Sequence, residues 1–126
     1  MLSAIAFAFA LALPLATALP AYAGAATPCA EATSTRALEQ CAQQTLATAD
    51  QALNSAYRDL LGHVSEPAAN TKLVAAQRAW VAFRDADCAA QYQLYEGGSM
   101  RNLALLGCKQ QRTEERTRTL RNYLPN

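Results

Sequence analysis

Charged side chains are absent from the first 23 residues, a stretch dominated by alanine and leucine. This apolar run ends at Ala21–Ala23 in the small-x-small pattern of a signal-peptidase site. Pro14 and Pro20 interrupt the run, and no stop-transfer charges follow it. The sequence therefore predicts a signal peptide over residues 1–23 and a mature domain over residues 24–126. We expect a periplasmic or secreted protein with no stable membrane anchor after cleavage.

Closely spaced metal ligands are also missing. His63 is the single histidine, and no two of the four cysteines form a C-x-x-C pair, so no metal site is predicted. A nucleophile elbow and a phosphate-binding loop are absent too, and we expect no cofactor and no catalysis. The formal net charge of +1 gives no reason to expect nucleic-acid binding.

The cysteines are present in an even number, and all lie in the predicted mature domain. Such a set in a small exported chain indicates two disulfides. We favour Cys29 with Cys41 and Cys88 with Cys108, each worth about 3 kcal/mol through the loop that it closes. The alternative pairs Cys41 with Cys88 and leaves Cys29 for Cys108.

Helical periodicity fills the mature domain, and no strand pattern appears. Apolar or small residues recur at a spacing close to 3.6 over residues 35–64, and Ser34 or Thr33 can cap that helix. Short connections favour antiparallel neighbours. The predicted fold is all-α: a three-helix antiparallel bundle, made of a helical hairpin and a C-terminal helix, stapled by two disulfides.

The second helix follows Pro67, with Asn70 or Thr71 as an available cap. Its predicted apolar stripe includes Phe83 and Leu94.

Three glycines in the rest of the chain are expected to mark helix ends or bends. Gly97 and Gly98 are expected to end the second helix, and Ser99 can cap the third. Gly107 lies inside that third helix, where it can mark a bend or a close helix contact.

A polar cluster surrounds the single tryptophan. Counting along the predicted hairpin brings Asp50 level with Arg84, and Asn54 level with Arg78. The set is Asp50, Asn54, Arg78, Trp80, Arg84 and Asp85. We interpret these residues as polar struts between helices, with Trp80 as core. Two carboxylates could also perform acid and base chemistry, but no cleft or accompanying catalytic motif is predicted.

Several segments together resemble a known family. They are "CAQQTLATADQALNSAYRDL", "LVAAQRAWVAFRDADC", "EGGS", a following cysteine and "RTEERTRTL". In this order they resemble the LprI-like lysozyme-inhibitor family over residues 29 to 124. One departure is Ala37, where the family often has a glutamate, so the first helix lacks a capping box. The resemblance implies an all-helical, disulfide-bonded envelope protein without known catalysis.

The leading functional hypothesis is an exported, non-catalytic binding protein that inhibits a lysozyme. Its candidate binding loop comprises Tyr95, Gly97, Gly98, Ser99, Met100 and Arg101, although the glycines and the serine are also explained as a helix stop and cap. The alternative is a periplasmic interaction module without lysozyme inhibition, docking through the basic last helix. Residues 97 to 126 carry six basic and two acidic side chains.

Overall fold

The computed structural model describes residues 29–123, and the predicted signal peptide lies outside this range. Three helices account for most of the described chain: α1 (Thr35–His63), α2 (Pro67–Leu94) and α3 (Arg101–Arg121). No strand occurs between residues 29 and 123. The all-α, three-helix prediction is confirmed.

The helix starts differ from the sequence prediction in one case. Ser34 caps α1 by accepting a hydrogen bond from the Ala37 backbone N–H at 3.2 Å. In contrast, α2 begins at Pro67, before the predicted caps Asn70 and Thr71. Proline suits the first helical position because its fixed φ is helical and its missing N–H would have no partner there. Glu66 provides the cap.

The turn between α2 and α3 contains the left-handed residue that the sequence predicts. Gly97 has φ +67°, which only glycine adopts without cost. The prediction that Ser99 caps α3 is wrong, because Met100 occupies the cap position and makes no side-chain cap bond. The turn is held instead by backbone bonds, since Gly98 N–H donates to the Tyr95 carbonyl and its own carbonyl accepts from Arg101 N–H.

The last helix lies at the centre of the bundle. α3 packs extensively against both α1 and α2, whereas the backbones of α1 and α2 approach each other little. Side-chain contacts show that α1 runs parallel to α3 and antiparallel to α2. The bundle is thus built around α3 rather than around a tight hairpin of α1 and α2.

The apolar core draws on all three helices. Leu53, Ala56 and Leu60 of α1 meet Leu73 of α2 and Leu120 of α3. Partly buried side chains cover this cluster, and they are Tyr57, Leu61, Val64 and Trp80. Truncating one of the buried leucines to alanine would cost about 2–5 kcal/mol.

Part of the predicted stripe on α2 does not enter this core. Phe83 is 55% exposed and Leu94 is 80% exposed. The inward face of α2 is narrow, because α3 alone packs closely against it. Leu73 and Cys88 are its buried residues, and Trp80 and Arg84 are partly buried between them.

Two disulfides join the cysteines in the favoured pairing. Cys29 and Cys41 have Cα atoms 5.7 Å apart, and Cys88 and Cys108 have Cα atoms 5.5 Å apart. The second bond ties α2 to α3. Within residues 29–123, none of the helices is both long and apolar enough to cross a membrane.

Candidate functional site

Arg84 stands at the centre of the polar cluster. Its Nη1 donates a hydrogen bond to Asp50 Oδ1 of α1 at 3.0 Å and to Thr113 Oγ1 of α3 at 3.1 Å. The Arg84 side chain is only 14% exposed, and Thr113 is fully buried. One guanidinium therefore links all three helices at mid-height.

The Arg84 guanidinium also contacts two residues of its own helix, Asp85 and Trp80. Its Nε donates to Asp85 Oδ1 at 3.2 Å, and its guanidinium carbon lies 5.2 Å from the centre of the Trp80 ring. Lys109 reaches the same Asp85 oxygen at 3.2 Å. Burial alone raises the pKa of Asp85, but the hydrogen bond from Lys109 and the charges of Arg84 and Lys109 outweigh it. The net pKa lies below the ordinary 3.8, so this carboxylate is a stable anion rather than a poised acid.

The structure does not bring every member of the predicted cluster together. Asn54 and Arg78 are both exposed, so they lie outside the buried part of the cluster around Arg84. α3 rather than α2 packs most closely against α1, so a count along the hairpin of α1 and α2 does not show which of these positions are covered. Gln77, beside Arg78, instead accepts a hydrogen bond from Arg116 Nε of α3 at 3.0 Å.

Open space lies away from this cluster. A cavity of about 400 Å³ opens where α1 ends and α2 begins. Its lining is mainly apolar and consists of Leu60, Val64, Ala69, Lys72, Leu73, Ala76 and Tyr123. No carboxylate lines it, and Asp50, Arg84 and Asp85 lie outside it. The cavity offers an apolar surface but no paired acids for chemistry.

One group of potential metal ligands sits beside the second disulfide. The Asp87 carboxylate and the sulfurs of Cys88 and Cys108 lie within 4.8 Å of one another. The two sulfurs are bonded to each other, so neither is a thiolate. The Asp87 carboxylate accepts a hydrogen bond from Arg112 Nε at 3.0 Å. The oxidised protein thus uses these groups structurally.

Two arginines of the basic third helix are engaged within the bundle. Arg112 pairs with Asp87 of α2 and with Glu115 of α3 itself. Arg116 bonds Gln77 and lies 5.8 Å from the centre of the Tyr123 ring. Arg112 and Arg116 therefore bind α2 and are not free on the surface. Arg118, also on α3, is exposed.

Large apolar side chains are exposed at the α2–α3 turn. Leu94, Tyr95 and Met100 are 80%, 51% and 53% exposed. They are three of the six large apolar side chains that are exposed among residues 29–123, and they lie within seven residues of sequence. Such clusters on a small protein mark interaction sites. The term "turn patch" is used below for Leu94, Tyr95, Met100 and Arg101.

The turn patch has firm supports. The Arg101 guanidinium carbon lies 3.8 Å from the centre of the Tyr92 ring, which is a close cation–π contact. Asn102 Nδ2 donates to Glu39 Oε1 of α1 at 3.2 Å and fixes the start of α3.

The sequence identified Tyr95, Met100 and Arg101 but assigned Leu94 to an inward stripe. Its position three residues before the helix-ending Gly97 is the signal that could have placed it in the turn.

Comparison with known proteins gives the chain a family. The family model described as "Lysozyme inhibitor LprI" matches residues 28–120. The chain belongs to the LprI family. An uncharacterized protein of Rhizobium meliloti (strain 1021) is 34% identical over 128 residues, covering 91% of this chain and 92% of the relative. No solved structure matches.

Membership in the LprI family agrees with the sequence resemblance. The matched range includes the polar cluster, both disulfides and the whole turn patch. LprI describes an inhibitor type of family, and the two disulfides suit an oxidising compartment.

Proposed function

We propose that this LprI-family protein is an exported, non-catalytic binding protein that inhibits a lysozyme-type muramidase. In this proposal the turn patch contacts the enzyme. The family description supports the target class. The observation that carries the choice of surface is the joint exposure of Leu94, Tyr95 and Met100 at one end of the bundle.

The composition of the turn patch suits a protein interface. Tyrosine, methionine and arginine are enriched at interface centres, where a few large side chains supply most of the binding energy. Tyr95 and Met100 lie on opposite sides of Gly97 in the same turn, and both are about half-exposed. Burial of their apolar surface is the main driving force for binding here.

The turn patch is also held in shape before binding. Cys88 and Cys108 join the two helices that carry the turn, and the contact between Arg101 and Tyr92 holds the guanidinium in place. Rigid presentation lowers the entropy that binding must overcome.

Arg101 adds a charge that matches the proposed target. Lysozymes cleave glycosidic bonds with a pair of carboxyl groups that flank the cleft. Arg101 is partly exposed, and a guanidinium commonly pairs with a carboxylate. A cleft carboxylate could therefore pair with Arg101 while Tyr95 and Met100 cover the apolar walls.

The basic third helix is a weaker candidate for the binding surface. Arg112 and Arg116 are already engaged with Asp87 and Gln77 inside the bundle. Freeing them for a partner would break these bonds. The turn patch can bind without such a loss.

The test compares three single variants with the wild-type protein, by inhibition of hen-type and goose-type lysozymes and by calorimetric binding. Tyr95→Glu and Met100→Glu should each weaken inhibition at least about tenfold, because each places a charge in an apolar contact. Arg118→Glu, on the exposed side of α3, is the matched control and should inhibit normally. Absence of inhibition by the wild-type protein at micromolar concentration would contradict the function. Loss confined to Arg118→Glu would contradict the choice of surface.

A further inference from the structure

The outward side of α2 is an apolar helix face that nothing in residues 29–123 covers. This outer face consists of Ala75, Ala79, Ala82, Phe83, Ala86 and Ala89, all exposed. Outward-facing helix positions normally carry polar side chains. An uninterrupted apolar face at this location, with a half-exposed phenylalanine on its edge, indicates a surface that is covered in the assembled protein.

The spacing on the outer face is that of a helix–helix contact. Its alanines recur at alternating intervals of four and three residues from Ala75 to Ala89, as the seam of a two-helix coiled coil does. Alanine permits helix axes to approach to about 8 Å, the close end of the usual range. The occupant that fits this geometry is another helix.

Charges on one edge of the outer face indicate that the helix packing there is α2 of a second copy. Arg78 and Asp85 are exposed, have opposite signs and lie seven residues apart, so they occupy the same edge two turns apart. An antiparallel two-fold arrangement centred on Ala82 brings Arg78 of each copy within one residue of Asp85 of the other. A parallel arrangement would instead bring like charges together. The Asp85 side chain is 48% exposed, so it remains accessible while Arg84 and Lys109 contact its Oδ1.

The aromatic side chain fits the same arrangement. Phe83 lies on the edge opposite Arg78 and one residue from the centre at Ala82. In the antiparallel pair the two copies of Phe83 are therefore about 3 Å apart along the helix axis, within reach of each other. Aromatic pairs add to the burial of apolar area.

We propose that two copies of this chain associate through the outer faces of α2, antiparallel, about a two-fold axis at Ala82. The contact follows a single helix about 40 Å long and is smaller than a standard protein interface, so the dimer is reversible. It leaves the turn patch at the end of each α2. The proposal is independent of the lysozyme target, because its test measures self-association.

The first experiment is sedimentation velocity of the mature protein from about 1 to about 500 µM, a range that covers weak association. The wild-type protein should shift from monomer to dimer as concentration rises. Ala82→Glu should raise the dissociation constant at least about tenfold, because it buries charge at the centre of the contact. Arg58→Glu, an exposed position on α1, is the matched control and should associate like the wild type. Circular dichroism checks that each variant is folded.

The second experiment tests the antiparallel arrangement by charge exchange. Arg78→Glu and Asp85→Lys should each weaken association, since every copy then meets a like charge. An equimolar mixture of the two variants should restore it, because both ion pairs re-form in the mixed dimer. A wild-type protein that stays monomeric at about 500 µM, or an Ala82→Glu variant that still associates, would overturn the proposal. So would a mixture that associates no better than the separate variants.

Discussion

Arg84 and Asp50 join α2 to α1 through a single 3.0 Å hydrogen bond, and the same Arg84 nitrogen bonds Thr113 of α3. The arrangement is asymmetric in burial. The Asp50 side chain is 42% exposed and reaches water, whereas the Arg84 side chain is 14% exposed. Solvent therefore screens the charge of Asp50, and Arg84 is the member of the pair on which the bundle depends.

Arg84→Met should destabilise the protein by about 2–3 kcal/mol, because it leaves Asp50 and the buried Thr113 hydroxyl without their donor. Asp50→Asn should cost only about 0.5–1 kcal/mol, since the amide oxygen can still accept from Arg84 and Asp85 still balances the charge of Arg84. Urea denaturation of both variants measures the difference. Equal losses would show that the asymmetry in burial has no energetic consequence.

Acid should weaken the fold in a defined range of pH. The pKa of Asp85 lies below 3.8, where the hydrogen bond from Lys109 and nearby positive charges outweigh the effect of burial. Hydrogen bonds from Gln111 and Arg112 hold the pKa of Glu115 below 4.5. A lowered folded-state pKa contributes stability above the unfolded-state value and loses it as the pH falls through the folded-state value.

Stability measured by denaturation should thus be steady from pH 7 to about pH 5 and should fall below about pH 4. In the variant with Asp85→Asn and Glu115→Gln the slope below pH 4 should be smaller. Glu31→Gln, at an exposed carboxylate outside the network, is the control and should keep the wild-type slope. An unchanged slope in the double variant would count against these two groups as the source.

The two disulfides should differ in their contributions. The bond between Cys88 and Cys108 closes a separation of 20 residues and is buried, whereas that between Cys29 and Cys41 closes 12 and is partly exposed. Replacing Cys88 and Cys108 by alanine should cost about 3–4 kcal/mol, and replacing Cys29 and Cys41 about 2–3 kcal/mol. Guanidinium denaturation of the two double variants tests the order. The reverse order would show that loop length and burial do not set these energies.

Replacing Gly107 or Gly97 with alanine should change the stability of the protein in opposite directions. A Cβ at Gly107 would meet nothing within 4 Å, so the close helix contact considered from the sequence is absent and Gly107→Ala should stabilise α3 by up to about 1 kcal/mol. Gly97 has φ +67°, and Gly97→Ala should destabilise by about 1 kcal/mol. Thermal melting of both variants shows the signs. Stabilisation by both would contradict the left-handed turn.

Features governed by local chemistry could be predicted from the sequence. The cap at Ser34 and the stop at Gly97 each depend on one residue and its neighbours, and both are found. Helix lengths and short connections brought the cysteines to one end of the bundle, and the pairing favoured there is the one found. The Asp50–Arg84 contact came from the same counting and also appears in the structure.

Features governed by the arrangement of helices could not be predicted in this way. Asn54 and Phe83 have apolar-stripe spacing, yet both are exposed, because periodicity defines a face without saying which helix covers it. The counting assumed that α1 and α2 pack on each other. The central position of α3 shifts the covered faces of both helices, and it is visible only in three dimensions.

The position of α3 also sets the order of events when the chain is made. α3 is made after α1 and α2, and both of these helices pack on it. Until Leu120 is present, the side chains of Leu53 and Leu60 on α1 lack a main packing partner, and the core cannot form. A nascent chain of this design cannot fold stepwise from its first two helices, and its core closes only when the third has been made.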